Sequence, residues 1–578
     1  MLNTSLLGLN DLPKYQQRRF VPEGIKLTDA KEVVALYEEL YKRPIRSSQD
    51  LEDWILDRSE LDAAVSQEGS ILYIRMTCQT DDPKKANAYK EFIETVVPAT
   101  KPLNDRLNHK FLKEIELYEL DVKRYEVYIR NVKSEVELFV DDNVALQTQV
   151  DLLSQEYQTV SGAMTVYFEG KERTLPEMSK YLLEPNRAVR EKSWRATAER
   201  RLQDKDKLEG IFDKMLGLRN TVAKNAGFAN FRDYQFKAYH RFDYTPEDCK
   251  KYHRVMENLM VPLLKEIADV RRKQMGLNEL RPWDTGVDPL NRPALKPFNK
   301  VEELVEKTVT VFDRTDIELG KQFREMRDLG LLDLASRKGK APGGYQSTLP
   351  EARKPFIFMN AVGLERDVRT LLHEGGHAFH ALACASDPLV DYRHAPMEFS
   401  EVASMAMELL AGDHIDVFYS PEDAKRSVRE HLEDILEVLV WVANIDAFQH
   451  WIYENPKHTP EERKVAWINV HKRFGGDTVN WQGLENIREY VWHRQLHIFE
   501  VPFYYIEYGI AQLGALQLWR QAKEDPKKAL ENYRNGLKLG GSRPLSELYK
   551  ATGINFDFSE KTIAPLVKLV KSEWERLV

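Results

Sequence analysis

The chain has 578 residues, of which 42% are hydrophobic and 30% are charged, and its formal net charge is −8. This composition is typical of a globular protein with a large core, and the length predicts two or more lobes. A mildly negative charge argues against a surface built for nucleic acid. The most apolar run, residues 435–445, contains Glu437 and is too short to span a membrane.

The cysteines and the N-terminus indicate the compartment. Of Cys78, Cys249 and Cys384, at least one must be unpaired within the chain, which suits a reducing environment. Residues Met1–Ser5 lack the basic start and the apolar run of a signal peptide. We therefore expect a cytoplasmic protein, and we interpret Cys384 as a small buried residue and not as a metal ligand.

The first part of the chain has the pattern of helices. Residues 30–65 carry apolar positions at helical spacing, and residues 86–157 alternate charge with Leu, Val and Tyr, which predicts long amphipathic helices in an antiparallel hairpin. Residues 70–78 alternate enough for a strand between helical flanks, so both readings remain open. Residues 164–171 predict a small β-hairpin, and helical sequence resumes over residues 185–223.

The change of pattern near residues 160–190 predicts an N-terminal helical lobe, 1–185, and a larger domain, 186–578. Residues 276–297 are rich in Pro, Asn and Gly and predict a loop. Residues 354–360 then form a short run of β-preferring residues. The free edge of such a strand could pair with an extended peptide. A purely structural hairpin is the alternative.

The most informative segment follows that strand and reads His-Glu-Gly-Gly-His from His373 to His377. On a helix, the two histidines share one face one turn apart and can bind one Zn²⁺, while Glu374 can hold a water. Gly375 and Gly376 each cost about 1 kcal/mol relative to Ala in a helix interior. We interpret them as room for a backbone or substrate that lies close against the helix. The segment predicts a metallopeptidase.

A catalytic zinc normally has three protein ligands, so one more is required. Residues 398–410 form a helix-compatible run with three acids. A carboxylate at Glu401 would complete a His₂Glu site, and Glu408, two turns along the same face, could hold a ligand histidine. Glu398 is the competing ligand. His380 is a further candidate, although a structural role explains it more simply.

The segment around His373, together with residues 401–404 (Glu-Val-Ala-Ser) and Glu408, resembles the M3 family of zinc oligopeptidases. Within that family it is most similar to the oligoendopeptidase F and Pz-peptidase branch, over roughly residues 200–575. The resemblance implies a mainly α fold, a two-lobed helical clamshell with a deep substrate channel and a small β-sheet beside the zinc helix. It implies one Zn²⁺ per chain, with Glu374 as catalytic base and these ligands: His373, His377 and Glu401.

A second informative segment, residues 497–509, is rich in Tyr and Phe. Pro502 suits a helix start, after which Tyr504 or Tyr505 and Tyr508 would share a face. Phenol and imidazole groups can stabilise an oxyanion, although such an aromatic cluster usually belongs to a core. The resemblance implies that His497 and Tyr508 line the channel, and we favour Tyr505 as the second catalytic tyrosine.

The resemblance also implies residues that contact the substrate: Gly343, Gly344, Tyr345, His394 and Tyr504. It shows one departure, because Gly375 stands where the family usually has a bulkier residue, which would alter the shape of the pocket.

The prediction is thus a zinc-dependent endopeptidase that acts on short, unstructured oligopeptides, with neither nucleic acid nor membrane as partner. A dipeptidyl carboxypeptidase with the same fold is the nearer alternative. A non-catalytic peptide-binding protein with a structural zinc is the other, and Glu374 argues against it because a structural zinc needs no base.

Overall fold

The computed structural model describes Leu9 and residues 12–577, so the predicted absence of a signal peptide at Met1–Ser5 lies outside the described residues. Most of the described chain is helical, as its amphipathic patterns predict. The α-helices are α1 (Ala30–Lys42), α2 (Ser48–Cys78), α3 (Pro83–Glu114), α4 (Val122–Leu138), α5 (Asp141–Gly162), α6 (Leu175–Met178), α7 (Arg187–Gln203), α8 (Lys205–Asn225), α9 (Phe231–Ala238), α10 (Pro246–Val255), α11 (Val261–Gln274), α12 (Val301–Thr315), α13 (Ile317–Asp328), α14 (Glu365–Ala383), α15 (Met397–Gly412), α16 (Pro421–Glu454), α17 (Pro460–Arg473), α18 (Glu485–Arg488), α19 (Leu496–Glu500), α20 (Ile506–Glu524), α21 (Pro526–Leu537), α22 (Leu545–Ala551) and α23 (Glu560–Leu577).

The strands form two small sheets. In the first, β1 (Thr165–Phe168) and β2 (Lys171–Thr174) form the predicted antiparallel hairpin, whose two turn residues both have positive φ. In the second, β3 (Leu332–Ala335), β4 (Tyr345–Leu349) and β5 (Lys354–Ala361) are ordered β3-β5-β4. β5 pairs parallel with β3 and antiparallel with β4, and both β4 and β5 pack against α14. The predicted mainly α fold with a small sheet beside this helix is confirmed.

Three local expectations are resolved by the structure. Residues 70–78 belong to α2, so the strand reading is wrong there. The strand at residues 354–360 exists, but it is the central strand β5, and β4 occupies an edge of the sheet in its place. The residues over 276–297 form the predicted loop, apart from a short 3-10 turn at Pro282–Asp284.

The expected helix start at Pro502 is also wrong, because α20 begins at Ile506. Phe503 has φ +67°, a left-handed conformation that interrupts a helix. Its backbone is held by distant side chains: its N–H donates to Gln449 Oε1 at 2.7 Å, and Arg241 Nη2 donates to its carbonyl at 2.6 Å. Tyr504 and Tyr505 therefore precede the helix.

The chain divides into two compact units of three segments each. The first comprises Met1–Val136, Leu295–Val428 and Ala511–Phe556, and the second comprises Glu137–Ala294, Arg429–Ile510 and Asp557–Val578. The division of the sequence into 1–185 and 186–578 stays a prediction. None of the helices within residues 12–577 is long and apolar enough to cross a membrane.

Candidate metal centre

Helix α14 is anchored at its N-terminus and on its apolar face. One carboxylate oxygen of Asp367 accepts hydrogen bonds from the backbone N–H groups of residues 362, 363 and 364, at 2.8–2.9 Å. Leu371, Leu372 and Ala378 are fully buried, whereas His373 and His377 are only partly covered. The helix is thus fixed with both histidines on one accessible face.

The paired glycines allow two other helices to approach α14. A Cβ atom at Gly376 would lie 2.5 Å from the carbonyl oxygen of Ala403 and 2.6 Å from the Cα of Ser404, both in α15. A Cβ atom at Gly375 would lie 2.7 Å from the ring of Phe312 in α12. Room for a close backbone is therefore confirmed at Gly376. Gly375 faces a buried aromatic ring of the core.

This close approach predicts an effect of Gly376→Ala. The added methyl group meets backbone, which cannot rotate away, so we expect a loss of roughly 1–3 kcal/mol in the free energy of unfolding. Denaturant unfolding measures it. The control is Gly217→Ala within α8, where no atom lies within 4 Å, and there we expect a stability gain of about 0.4–1 kcal/mol. A Gly376→Ala protein as stable as the wild type would contradict the close packing.

The donor atoms of His373, His377 and Glu401 converge, all within 4.8 Å of one another. Glu401 Oε2 lies 3.4 Å from His373 Nε2 and 3.6 Å from His377 Nε2. The two imidazole rings are nearly perpendicular, with centroids 4.9 Å apart. Glu398 and His380, the other candidates from the sequence, are not part of this group; His380 packs against the ring of Phe399.

Neighbouring groups orient two of the three donors. His373 Nδ1 donates a hydrogen bond to Glu408 Oε1 at 2.7 Å, which leaves Nε2 directed at the centre of the group. Ser404 Oγ donates to Glu401 Oε2 at 2.9 Å. Ser404 has no role in the sequence analysis, although its position three residues after Glu401 on one helix places both side chains on the same face.

Charge and burial shift the pKa values of the donors in opposite directions. Burial opposes the charge on His373, but the carboxylates of Glu401 and Glu408 outweigh it and hold its pKa well above the usual value. Burial lowers the pKa of His377 to about 4, so this imidazole is neutral at pH 7. Burial opposes the charge on Glu401 as well, yet its hydrogen bond with His373 leaves the carboxyl pKa lowered. The carboxylates of Glu401 and Glu408 thus favour positive charge at this group.

Glu374 lies beside this group and is buried. Burial raises the pKa of its carboxyl to about 7, although His373 and a hydrogen bond from the backbone of Gln346 act in the opposite direction. Since Gln346 belongs to β4, the edge of the sheet lies next to this carboxyl. A carboxyl with a pKa near neutrality can both accept and deliver a proton.

The residues expected to contact a substrate lie at the start of β4 and after α14. Gly343, with φ +94°, precedes the strand, and a Cβ atom at Gly344 would touch the carbonyl of Phe358 and the side chain of Thr370. Tyr345 stacks on Phe358 and shares a hydrogen bond of 2.6 Å with Thr77 Oγ1. His394 follows a 3-10 turn and is exposed. Their contacts with a substrate stay predictions.

The histidine and tyrosine cluster belongs to the second unit. The ring of His497 lies 4.6 Å from that of Tyr505, 6.0 Å from Tyr508 and 6.2 Å from Tyr504, measured between centroids. His497 Nδ1 is hydrogen-bonded to Gln495 Nε2 at 2.7 Å, and burial lowers the pKa of the imidazole to about 4. The structure brings all four side chains together, and their catalytic roles stay predictions.

Two histidines one helical turn apart, a glutamate next to the first and a carboxylate from the following helix are the features of a zinc-dependent hydrolase site. Fold and site thus define a helical protein of the HExxH class. The family model described as peptidase family M3 matches residues 181–566, and that of the peptidase M3 N-terminal domain matches residues 20–139. The chain belongs to peptidase family M3.

Comparison with individual proteins agrees with the assignment to peptidase family M3. The oligoendopeptidase F homolog of Borreliella burgdorferi is 25% identical over 346 residues, which are 57% of this chain and 56% of that protein. Oligopeptidase PepF of Bacillus subtilis is 24% identical over 316 residues, 52% of this chain and 45% of that protein. The chain thus spans about half the length of these relatives. A structure of Pz peptidase A with an inhibitor has a TM-score of 0.86 at 27% identity and covers 96% of this chain and 99% of its own.

Proposed function

We propose that this chain is a zinc-dependent endopeptidase that hydrolyses internal peptide bonds of short, unstructured oligopeptides. The observation that carries the proposal is the convergence of the His373, His377 and Glu401 donor atoms beside the buried Glu374 carboxyl. The names of the relatives, oligoendopeptidase F and oligopeptidase, support the same reaction.

The donor set fits one zinc ion per chain. Two imidazole nitrogens and one carboxylate oxygen are the ligands of many catalytic zinc sites and leave a position open. When bound, the ion supplies a Lewis acid that polarises the scissile carbonyl and lowers the pKa of water. Glu408 would keep His373 in the tautomer that presents Nε2 to the ion.

Glu374 acts as the general base and then as the general acid. Its carboxylate accepts the proton of the attacking water, and the resulting carboxylic acid delivers that proton to the nitrogen of the leaving amine. A pKa of about 7 favours both steps at neutral pH, because neither form of the carboxyl is strongly preferred.

Strand β4 would hold the peptide. It occupies the edge of its sheet, and the backbone of Gln346 reaches the Glu374 carboxyl. An extended peptide that pairs with this edge would pass its backbone along the catalytic base. Pairing of this kind requires an extended segment of the substrate, which supports the proposal of unstructured peptides.

Tyr508 is proposed to donate a hydrogen bond to the oxyanion, with His497 or Tyr505 as the second donor. Because this contact would form mainly in the transition state, Tyr508→Phe should lower kcat by about 10²-fold with a smaller rise in KM. Tyr504→Phe, which alters the neighbouring ring, is the matched control and should affect mainly KM. An effect of Tyr508→Phe on KM alone would mark a ground-state contact and remove the assignment.

The decisive experiment uses an internally quenched peptide blocked at both ends, with mass analysis of the products. Internal cleavage that is lost on chelation and restored by Zn²⁺ is the expected result. A carboxypeptidase would leave the blocked peptide intact and shorten an unblocked one from its C-terminus. A peptide-binding protein would cleave neither. The cytoplasmic location remains a prediction.

A further inference from the structure

A second group of metal-ligating side chains lies in the core of the second unit. Cys249 and His253 are one turn apart on α10, and Asp446 and His450 are one turn apart on α16. The donor atoms of Cys249, Asp446 and His450 lie within 4.8 Å of one another. His253 Nε2 lies 2.7 Å from Asp446 Oδ2. Two helices thus bring a Cys/His pair and an Asp/His pair together, with the His253 imidazole hydrogen-bonded to Asp446.

All four side chains are nearly inaccessible to solvent. Cys249 and Asp446 are 0% exposed, His450 is 2% exposed and His253 is 4% exposed. The rings of Phe236 and Phe503 flank His450, with centroids at 6.3 and 5.3 Å. The group is therefore enclosed in an apolar environment, where polar atoms need partners.

Several of those polar atoms have no hydrogen-bond partner among the described residues. Neither ring nitrogen of His450 forms a hydrogen bond, and neither does Asp446 Oδ1. His450 Nε2 does lie 3.3 Å from the other carboxylate oxygen, Asp446 Oδ2. A buried donor or acceptor without a partner costs about 1–3 kcal/mol. Such groups in a native core require an explanation, and a bound ion is one.

We propose that this group binds a structural zinc ion, with Cys249, Asp446 and His450 as ligands and His253 as the fourth. Thiolate, imidazole and carboxylate are the ligand types of zinc, and the thiolate argues against Mg²⁺ or Ca²⁺. Four ligands close the tetrahedron, as in structural sites. The charges also balance when zinc is bound, because one thiolate and one carboxylate neutralise Zn²⁺ and imidazole binds a metal in its neutral form. A neutral group is the least costly one to bury.

The geometry requires only small shifts of the ligand atoms. Zinc–ligand bonds of about 2.0–2.3 Å place tetrahedral ligand atoms about 3.3–3.8 Å apart. The His450–Asp446 pair at 3.3 Å already lies at the short end of that range, whereas the hydrogen-bonded His253–Asp446 pair at 2.7 Å would have to separate slightly. Binding would hold α10 against α16, and through Gln449, which accepts from the Phe503 N–H, it would brace the segment before Tyr504 and Tyr505.

Sulfur ligation separates this site from the first one. The proposed catalytic set of His373, His377 and Glu401 contains no sulfur, so a thiolate-to-metal charge-transfer band in the cobalt-substituted protein reports Cys249 alone. We expect that band in the wild-type chain, and its loss in Cys249→Ser. The double variant Cys78→Ala/Cys384→Ala removes the other two cysteines of the sequence and should retain the band.

Metal content provides the second measurement. The wild-type chain should carry two zinc ions, and Glu401→Ala and Cys249→Ser should each carry one. A wild-type protein without the sulfur band, or a band that survives Cys249→Ser, would overturn the proposal. The Cys78→Ala/Cys384→Ala variant leaves Cys249 as the remaining cysteine, so a sulfur band in that variant can come only from Cys249. The test therefore holds even if Cys249→Ser fails to fold. Failure here would leave the proposed peptidase activity unaffected, since that activity depends on the first site.

Discussion

Glu374→Gln is expected to lower kcat by about 10²- to 10⁴-fold, the contribution typical of a general base. The amide has nearly the same shape as the carboxylate, but it has no basic oxygen to accept the proton of water. The hydrogen bond from the backbone of Gln346 can still reach the amide oxygen, so the fold around β4 should persist. Steady-state cleavage of the quenched peptide measures the loss.

Zinc content separates loss of the base from loss of the metal. Since Glu374 is not one of the three converging donors, the Glu374→Gln substitution should leave the bound zinc unchanged. Glu374→Asp retains a carboxylate one methylene further from the site and should fall between the wild type and Glu374→Gln. Turnover near the wild-type rate in Glu374→Gln, with zinc bound, would show that another group is the base.

Removing the proposed third ligand, Glu401, should have the largest effect on zinc binding. Glu401→Ala is expected to lower zinc affinity by more than about 10²-fold, because it deletes one proposed ligand and one of the two carboxylates that face His373. Glu408→Gln weakens only the hydrogen bond to His373 Nδ1, and a loss of about 10–100-fold is expected. Titration against a competing chelator measures both.

Glu398→Gln is the matched control, since Glu398 is on the same helix and buried to a similar degree. The sequence leaves Glu398 as an alternative ligand to Glu401, but in the structure Glu398 does not belong to the group of converging donor atoms. We expect its zinc affinity to equal that of the wild type. A large loss in Glu398→Gln together with normal binding in Glu401→Ala would exchange the two assignments.

The sequence predicts the helices and the HExxH segment well, because both depend on neighbours three or four positions apart. The amphipathic runs of residues 30–65 and 86–157 are helical apart from the connections at 43–47, 115–121 and 139–140, and His373 and His377 share one face. The hairpin at residues 164–171 is also local and is confirmed. Elements that depend only on residues a few positions apart can therefore be predicted from the sequence alone.

Features that depend on distant partners are predicted less well. Residues 354–361 are a strand as expected, but only pairing with both β3 and β4 makes it central. Pro502 favours the start of a helix. The side chains of Gln449 and Arg241, however, hold the backbone of Phe503 in a conformation that does not continue into a helix. The sequence does not predict the group around Asp446, because His253 and Asp446 are 193 positions apart, although the Cys-x₃-His and Asp-x₃-His spacings are a usable signal.

The sequence by itself thus determined the helical class, the two histidines with Glu374 and the family. Only the tertiary structure decided that Glu401 joins them instead of Glu398, that Gly376 makes room for α15, and that β4 forms the edge beside the Glu374 carboxyl. The reason is physical. Spacing along one helix specifies which of its side chains share a face. Which face of a second helix packs against the first depends on burial and steric fit across the whole core.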